Sequence, residues 1–177
     1  MQKEQVKYKF SIINANDLDS VLDLSLKHKY ALDLDNSKNN NDYIASICNY
    51  IGKVYPHFYT CCDENNKLLA CCSIEEWGYS GNKYHSCLLS HCLFDRKAYG
   101  KTSLEIGKQF IDYIFKTFDL HKIKIEVYET NKLGINYFEK LGFKKEAILK
   151  EEAYNNNNEL INLYVYSIIR SDFYGKL

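Results

Sequence analysis

Apolar and polar positions change period several times along the 177-residue chain, and each change marks a predicted element. Tyr8–Ile13 has strand character. Asn14–Asp17 offers capping side chains ahead of Leu18, Val21, Leu22, Leu24 and Leu26, an apolar face at helical spacing. Asp35–Asn41 is polar and asparagine-rich and reads as a loop. Tyr43, Ile44, Ile47, Tyr50 and Ile51 then return to helical spacing, so two short helices follow the first strand and carry the one segment suited to act as a lid.

Phe58–Cys62 and Leu68–Trp77 predict an antiparallel pair joined by a turn at Asp63–Lys67. Gly78–Lys83 reads as the next turn and Tyr84–Phe94 as the next strand. In Thr102–Phe118 the period becomes helical, with Ile106, Phe110, Ile114 and Phe118 four apart. Ile123, Ile125 and Val127 alternate with Lys124 and Glu126, which predicts a strand. Asn131–Leu141 is a helix with Leu133, Tyr137 and Leu141 on one stripe, and Gly142 is placed to end it in the left-handed conformation. Phe143–Leu149 and Leu160–Arg170 predict a final hairpin across the turn Asn155–Asn158. Strand–helix alternation with a single proline points to a mixed α/β sheet rather than a helical bundle.

Composition narrows the function classes. A chain of this length suits one domain with a substantial core. Lys and Arg total 23, as do Asp and Glu, so no global excess of positive charge favours a nucleic-acid partner. The longest apolar runs, such as Lys67–Ile74, are far too short to span a bilayer, and Met1–Gln5 leads into an alternating segment without a signal-type apolar core. A cytoplasmic protein with neither a membrane nor a nucleic-acid partner is expected. The seven cysteines include two adjacent pairs, Cys61-Cys62 and Cys71-Cys72, on facing strands. Neighbouring strand residues point to opposite faces, so each pair splits across the sheet, and the spacing differs from that of structural zinc sites. Small buried thiols are expected, and no metal.

The densest signal is Asp112–Phe143, where helix, Leu-His-Lys-Ile, strand, Glu-Thr-Asn, helix and Glu-Lys-Leu-Gly-Phe follow one another without slack. This segment resembles the GNAT superfamily of N-acetyltransferases, and most of all its branch acting on polyamines and ribosomal-protein N-termini. The resemblance is dense over Leu93–Phe143 and rests elsewhere on element order. It implies a single GNAT-like domain over residues 1–177. The fold expected is a mixed, mostly antiparallel central sheet flanked by helices, with a splayed parallel strand pair at a coenzyme slot. The coenzyme-binding core would lie at about 84–143, and the acceptor side at about 14–57 and 144–177.

For the co-substrate, acetyl-CoA, the implied site is built from the strand end at Leu93 and Phe94 and the loop and helix start at Tyr99, Gly100, Lys101, Thr102 and Ser103. Free N–H groups and the positive dipole end of a helix suit a diphosphate, and Arg96, Lys97 and Lys101 add charge. Asn131 stands where the family has a coenzyme-contacting asparagine, followed by Tyr137 and Phe138. The family's loop pattern, Gln/Arg-x-x-Gly-x-Gly/Ala, is not met cleanly. One register takes Lys97, Gly100 and Thr102 as its three positions; the other lies one residue later and loses the glycine.

Many relatives carry a tyrosine directly before Glu-Lys-Leu-Gly-Phe as the acid that protonates the leaving thiolate. Here that residue is Phe138, with Tyr137 before it, rotated by about 100° on a helix. Tyr137 is the candidate acid, against a packing role. A primary amine with pKa near 10.4 must lose a proton before attack. His91 and Glu76 are the candidate bases, with His85 and Asp95 behind them; the alternative for each is a structural side chain. A backbone N–H in Cys92–Phe94 would stabilise the oxyanion. The expected reaction is direct attack by a primary amine, on a small molecule or a peptide, in a ternary complex. Two rival readings remain: a phosphotransferase, because Gly100-Lys101-Thr102 ends like a phosphate-binding loop, and a non-catalytic coenzyme- or partner-binding module. The acceptor is left open, and so is a homodimer.

Overall fold

The computed structural model describes residues 8–28, 39–155 and 157–175. Met1–Gln5, Asp35–Lys38 of the predicted loop and Asn156 of the asparagine turn lie outside these. Strand β1 (Lys9–Ile12) is followed by helices α1 (Leu18–His28) and α2 (Asn40–Val54). Strands β2 (Phe58–Cys62), β3 (Leu68–Ser80) and β4 (Lys83–Phe94) come next. A short 3-10 helix (Arg96–Ala98) then leads into α3 (Lys101–Phe118). The chain continues through β5 (Lys122–Tyr128), α4 (Lys132–Leu141), β6 (Lys144–Tyr154), β7 (Leu160–Ile169) and the short α5 (Arg170–Tyr174).

Local chemistry sets these boundaries. The Asn39 side chain accepts the Asp42 N–H and opens α2. Asp63 Oδ1 accepts the N–H groups of Asn65 and Lys67 and closes the β2–β3 turn. Gly142, at φ +99°, ends α4 with its N–H bonded to the Glu139 carbonyl.

The seven strands form one sheet in the order β1-β2-β3-β4-β5-β7-β6. Every neighbouring pair is antiparallel except β4 and β5. Those two pair only from Ser86–Leu88 to Lys122–Lys124, while β5 keeps its ladder with β7 along its whole length. The far ends of β4 and β5 therefore separate, as the predicted slot requires. Helices cover both faces. On one, Phe110, Ile114 and Phe115 of α3 and Leu141 of α4 bury against Ile123, Ile125 and Tyr166. On the other, Val21 and Leu24 of α1 and Ile47 and Ile51 of α2 bury against Phe58, Cys71 and Leu93.

Three boundaries differ from the pattern-based expectation. The turn predicted at Gly78–Lys83 shrinks to its tip, because Tyr79 and Tyr84 pair across the strands with ring centroids 4.7 Å apart. Strand β6 runs past Leu149 to Tyr154, through an irregularity at Glu151 (φ +53°). Helix α5 was not expected from the sequence. The Cys71-Cys72 pair does split across the sheet: Cys71 packs with the α1–α2 face and Cys72 with the α3–α4 face. All seven thiols are free, and burial pushes those of Cys61, Cys87 and Cys92 up to about 12.

Candidate active site

Two bulges shape the centre of the sheet. Ser73 pairs with Ser90 and Cys71 with Leu93, so β4 carries one extra residue there, and His91 takes φ +51°. On β3 the register slips between Glu75 and Gly78, with Glu76 at φ +46°. Each slip exchanges the faces of the side chains beyond it. Beyond Leu88 β4 has left β5, and the consecutive residues Cys92, Leu93 and Phe94 all border one cleft along this open edge.

That cleft, about 260 Å³, lies between the end of β4 and the N-terminal turns of α3 and α4. Gly100 starts α3 at φ +89° and ψ −128°, with no side-chain cap on the helix. Only glycine adopts this conformation readily. The uncapped N–H groups of the first turn, together with Gly100 and Ser103 on the cleft wall, make a suitable cradle for phosphate oxygens. Gly100 is the residue whose conformation the turn demands. Asn131 starts α4, its side-chain oxygen accepting the Gly134 N–H at 2.9 Å. The cap engages the oxygen end of the amide and leaves the NH₂ end as the group it can offer a ligand.

Of the residues expected around the coenzyme, Leu93, Phe94, Tyr99, Gly100, Ser103, Asn131, Tyr137 and Phe138 border the cleft. Arg96, Lys97, Lys101 and Thr102 lie beside it without lining it. Lys101 Nζ is 3.8 Å from Glu105, which takes part of its charge. Cys92, whose backbone the sequence reading placed by the oxyanion, lines the cleft too, as do His28 and Lys140, which it did not single out. Lys140 had a readable signal, a cation one turn beyond Tyr137 on α4. His28 had none, because its proximity is purely tertiary.

Tyr137 borders the cleft, but its hydroxyl donates to the Ser103 carbonyl at 3.1 Å and ties α4 to α3. Burial drives its pKa up, away from the range of a useful acid. The hydroxyl expected as a proton donor is therefore engaged in a structural bond. Gly107 makes room for it, since a Cβ there would lie 2.3 Å from the Tyr137 oxygen. Phe138 packs against Phe143 and brings no proton.

The candidate bases separate as well. His91 turns into the α2 side, with its ring centroid 5.2 Å from Tyr50 and 5.8 Å from Phe58. Its Nε2 is buried with no partner among the described residues. Burial lowers its pKa to about 4, with the Glu75 charge acting the other way, so it is neutral at neutral pH. Glu76 is exposed at its bulge. Its neighbour Glu75 faces α2 instead, accepting from the Tyr50 hydroxyl, which also meets Ser73 Oγ at 2.5 Å. Cys71, Ser73 and Glu75 follow strict alternation onto the α2 side, and β3 slips in register only beyond Glu75. Asp95 caps the 3-10 turn by accepting the Lys97 N–H, and the His85 ring packs beside Gly78.

Four carboxylates gather near the splay. Burial raises the pKa of Glu126, and the charges of Glu76, Glu152 and Glu75 raise it further, against the opposing Lys124. The charges of Glu75 and Glu76 on β3 and Glu152 on β6 thus act together on Glu126 of β5. Among the described residues, no helix is long and apolar enough to cross a membrane, and no His, Cys, Asp or Glu group is arranged to hold a metal ion.

Comparison with known proteins agrees with this geometry. The chain is similar in fold to the Vibrio cholerae spermidine N-acetyltransferase solved with CoA and spermine, at 17% identity, TM-score 0.75, 96% of this chain and 99% of that one. It is also similar to the Vibrio fischeri ribosomal-protein-S5-alanine acetyltransferase, at 19% identity and TM-score 0.70, covering 97% of both chains. A further V. cholerae spermidine/spermine N-acetyltransferase structure, solved with manganese ions, matches at 17% identity and TM-score 0.70, over 96% of both chains. No curated protein sequence matches. The family described as acetyltransferase (GNAT) domain matches residues 10–163, nearly the whole described sheet and its helices. The chain belongs to the GNAT family and is, by that membership, an N-acetyltransferase.

Proposed function

We propose that the protein transfers an acetyl group from acetyl-CoA to a primary amine on a cationic acceptor, by direct attack in a ternary complex. The observation that carries the coenzyme part is the uncapped N-terminus of α3 at Gly100, opening into the cleft where β4 leaves β5. Acetyl-CoA supplies an activated thioester. The first turn of α3 would hold its diphosphate, with Lys140 and the exposed Arg96 and Lys97 adding positive charge. The β4 wall at Cys92–Phe94 would offer backbone N–H groups to a developing oxyanion.

The proposed acceptor class rests on charge. Glu75, Glu76, Glu126 and Glu152 make a negative region that suits an ammonium and disfavours an anionic substrate. A polyamine fits this chemistry, and the spermine bound to the V. cholerae neighbour supports the reading. In this reading Glu75 receives the ammonium proton, directly or through water, with His91 beside Tyr50 as the alternative. Tyr50 holds the Glu75 carboxylate in place. No protein acid is assigned to the leaving thiolate. With a thiol pKa near 8.5 it leaves without one.

Thiol release from acetyl-CoA tests this, comparing spermidine with a primary monoamine of similar length, which carries only the reacting ammonium. Faster release with spermidine supports the proposal. Equal rates would remove the acidic region from acceptor choice. One observation favours a second reading as a non-catalytic coenzyme sensor, namely Phe138 at the acid's position with the Tyr137 hydroxyl engaged. Acetyl-CoA binding without thiol release, across polyamines, amino sugars, amino acids and peptide N-termini, would establish that reading instead.

A further inference from the structure

The last turn of α1, an element on the acceptor side of the fold, reaches the coenzyme cleft through one side chain. His28 closes α1, is only 5% exposed, and borders the cleft. Its Nε2 lies 2.6 Å from the Phe94 carbonyl oxygen. A carbonyl only accepts, so Nε2 carries the hydrogen and donates it. Phe94 is the last residue of β4, paired with Ala70 on β3. Directly after it, the Asp95 N–H bonds to the Leu69 carbonyl at 2.8 Å, and Asp95 Oδ1 accepts the Lys97 N–H at 2.8 Å. The chain then turns through Arg96–Ala98 and delivers Tyr99 and Gly100 to the start of α3. The His28 ring also faces that of Tyr99, with centroids 6.3 Å apart.

His28 thus grips the junction between the strand that walls the cleft and the turn that presents the helix N-terminus. The body of α1 is anchored independently, with Val21 and Leu24 in the core beside Leu93. Removing the imidazole donor therefore leaves the helix packed and frees only the junction.

Resting on the coenzyme reading above, we propose that His28 is a positioning residue for the coenzyme. Its N–H fixes the Phe94 carbonyl and thereby sets where the β4 end and the Gly100 turn stand relative to each other. Coenzyme affinity is in this way determined partly from α1, outside the segments that touch the diphosphate.

The test is isothermal titration of CoA into the wild-type protein, H28L and H28Q, with thermal unfolding of each. Leucine fills the space without a donor; glutamine restores an N–H that can reach the carbonyl. H28L is expected to raise the CoA Kd by about five- to tenfold, the worth of one ordered hydrogen bond. H28Q should recover to within about threefold of wild type on the same reasoning. H28M, a second side chain without a donor, repeats the comparison if H28L folds poorly. Wild-type affinity in H28L would overturn the proposal. So would equal losses in H28L and H28Q with matching drops in melting temperature, which would mark a general packing role. Absence of CoA binding by the wild-type protein would overturn the coenzyme reading itself and this inference with it.

Discussion

Gly107 and Tyr137 meet where α3 crosses α4, and exchanging either residue has a calculable effect. In Gly107→Ala the new Cβ would stand 2.3 Å from the Tyr137 hydroxyl oxygen and 2.9 Å from Leu141 Cδ1. The leucine methyl can rotate away. The tyrosine cannot move without losing its bond to the Ser103 carbonyl. Overpacking of this kind costs about 1–3 kcal/mol, and the lost hydrogen bond about 1 kcal/mol. Alanine in a helix interior returns about 1 kcal/mol relative to glycine. A net loss of about 2 kcal/mol is expected, lowering the melting temperature of a chain this size by about 4–8 °C.

Tyr137→Phe alone loses the hydrogen bond, about 1 kcal/mol. The double variant is the decisive one. Without the hydroxyl the Cβ fits, so G107A/Y137F should be more stable than G107A and close to wild type. The coupling is about 3 kcal/mol in favour of the pair, at the upper end for contacting residues. Urea and thermal unfolding of the four proteins measure it. Additive losses would refute the contact and the wall role assigned to Tyr137. The same Y137F protein should keep kcat within about fivefold of wild type, whereas loss of a general acid would lower it by about 100-fold or more.

Further predictions concern the bases and the loop. Because burial lowers the His91 pKa to about 4, the unfolded chain takes up this proton before the folded one does. The stability contribution of a neutral His91 is complete above pH 6.5 and is lost as pH falls towards 4, by at most about 3 kcal/mol. H91F should flatten that part of a pH series of urea unfolding, and an unchanged slope would refute the burial argument. E75Q should lower kcat/KM for a cationic acceptor by about 100-fold and E76Q by less than about threefold, if Glu75 receives the proton. The reverse order would restore Glu76. G100A forces a side chain into φ +89°, a strain of about 1–3 kcal/mol, and should raise the CoA Kd by about tenfold or more. Unchanged CoA titration of G100A would remove the α3 N-terminus from the coenzyme site.

The division between what the sequence disclosed and what it hid has physical causes. Elements with sustained periodicity were legible. Ile106, Phe110 and Ile114 announced α3, and Gly142 ended α4 as its position indicated. The cleft at the start of α3 was legible in outline, because helix starts and glycines leave local signals. The acceptor side was not. Strict alternation from Ser73 carries Glu75 to one face, but which face α2 covers is tertiary information, so the sequence offered Glu76 and not Glu75 as a candidate. Tyr137 meets a similar limit. Its proximity to the cleft followed from helix spacing, whereas the engagement of its hydroxyl by Ser103 depends on how α4 packs on α3. Gly107 did leave a clue, an isolated glycine inside an apolar helical pattern, which signals a close approach. His28 left none.

The central claim is that the cleft at the start of α3 binds acetyl-CoA, and calorimetric titration of the wild-type protein tests it most directly. The account predicts saturable one-to-one binding, with Kd between about 1 μM and 1 mM, the range in which enzymes commonly meet their substrates. Absence of binding up to millimolar acetyl-CoA, or retained ATP binding in its place, would contradict it.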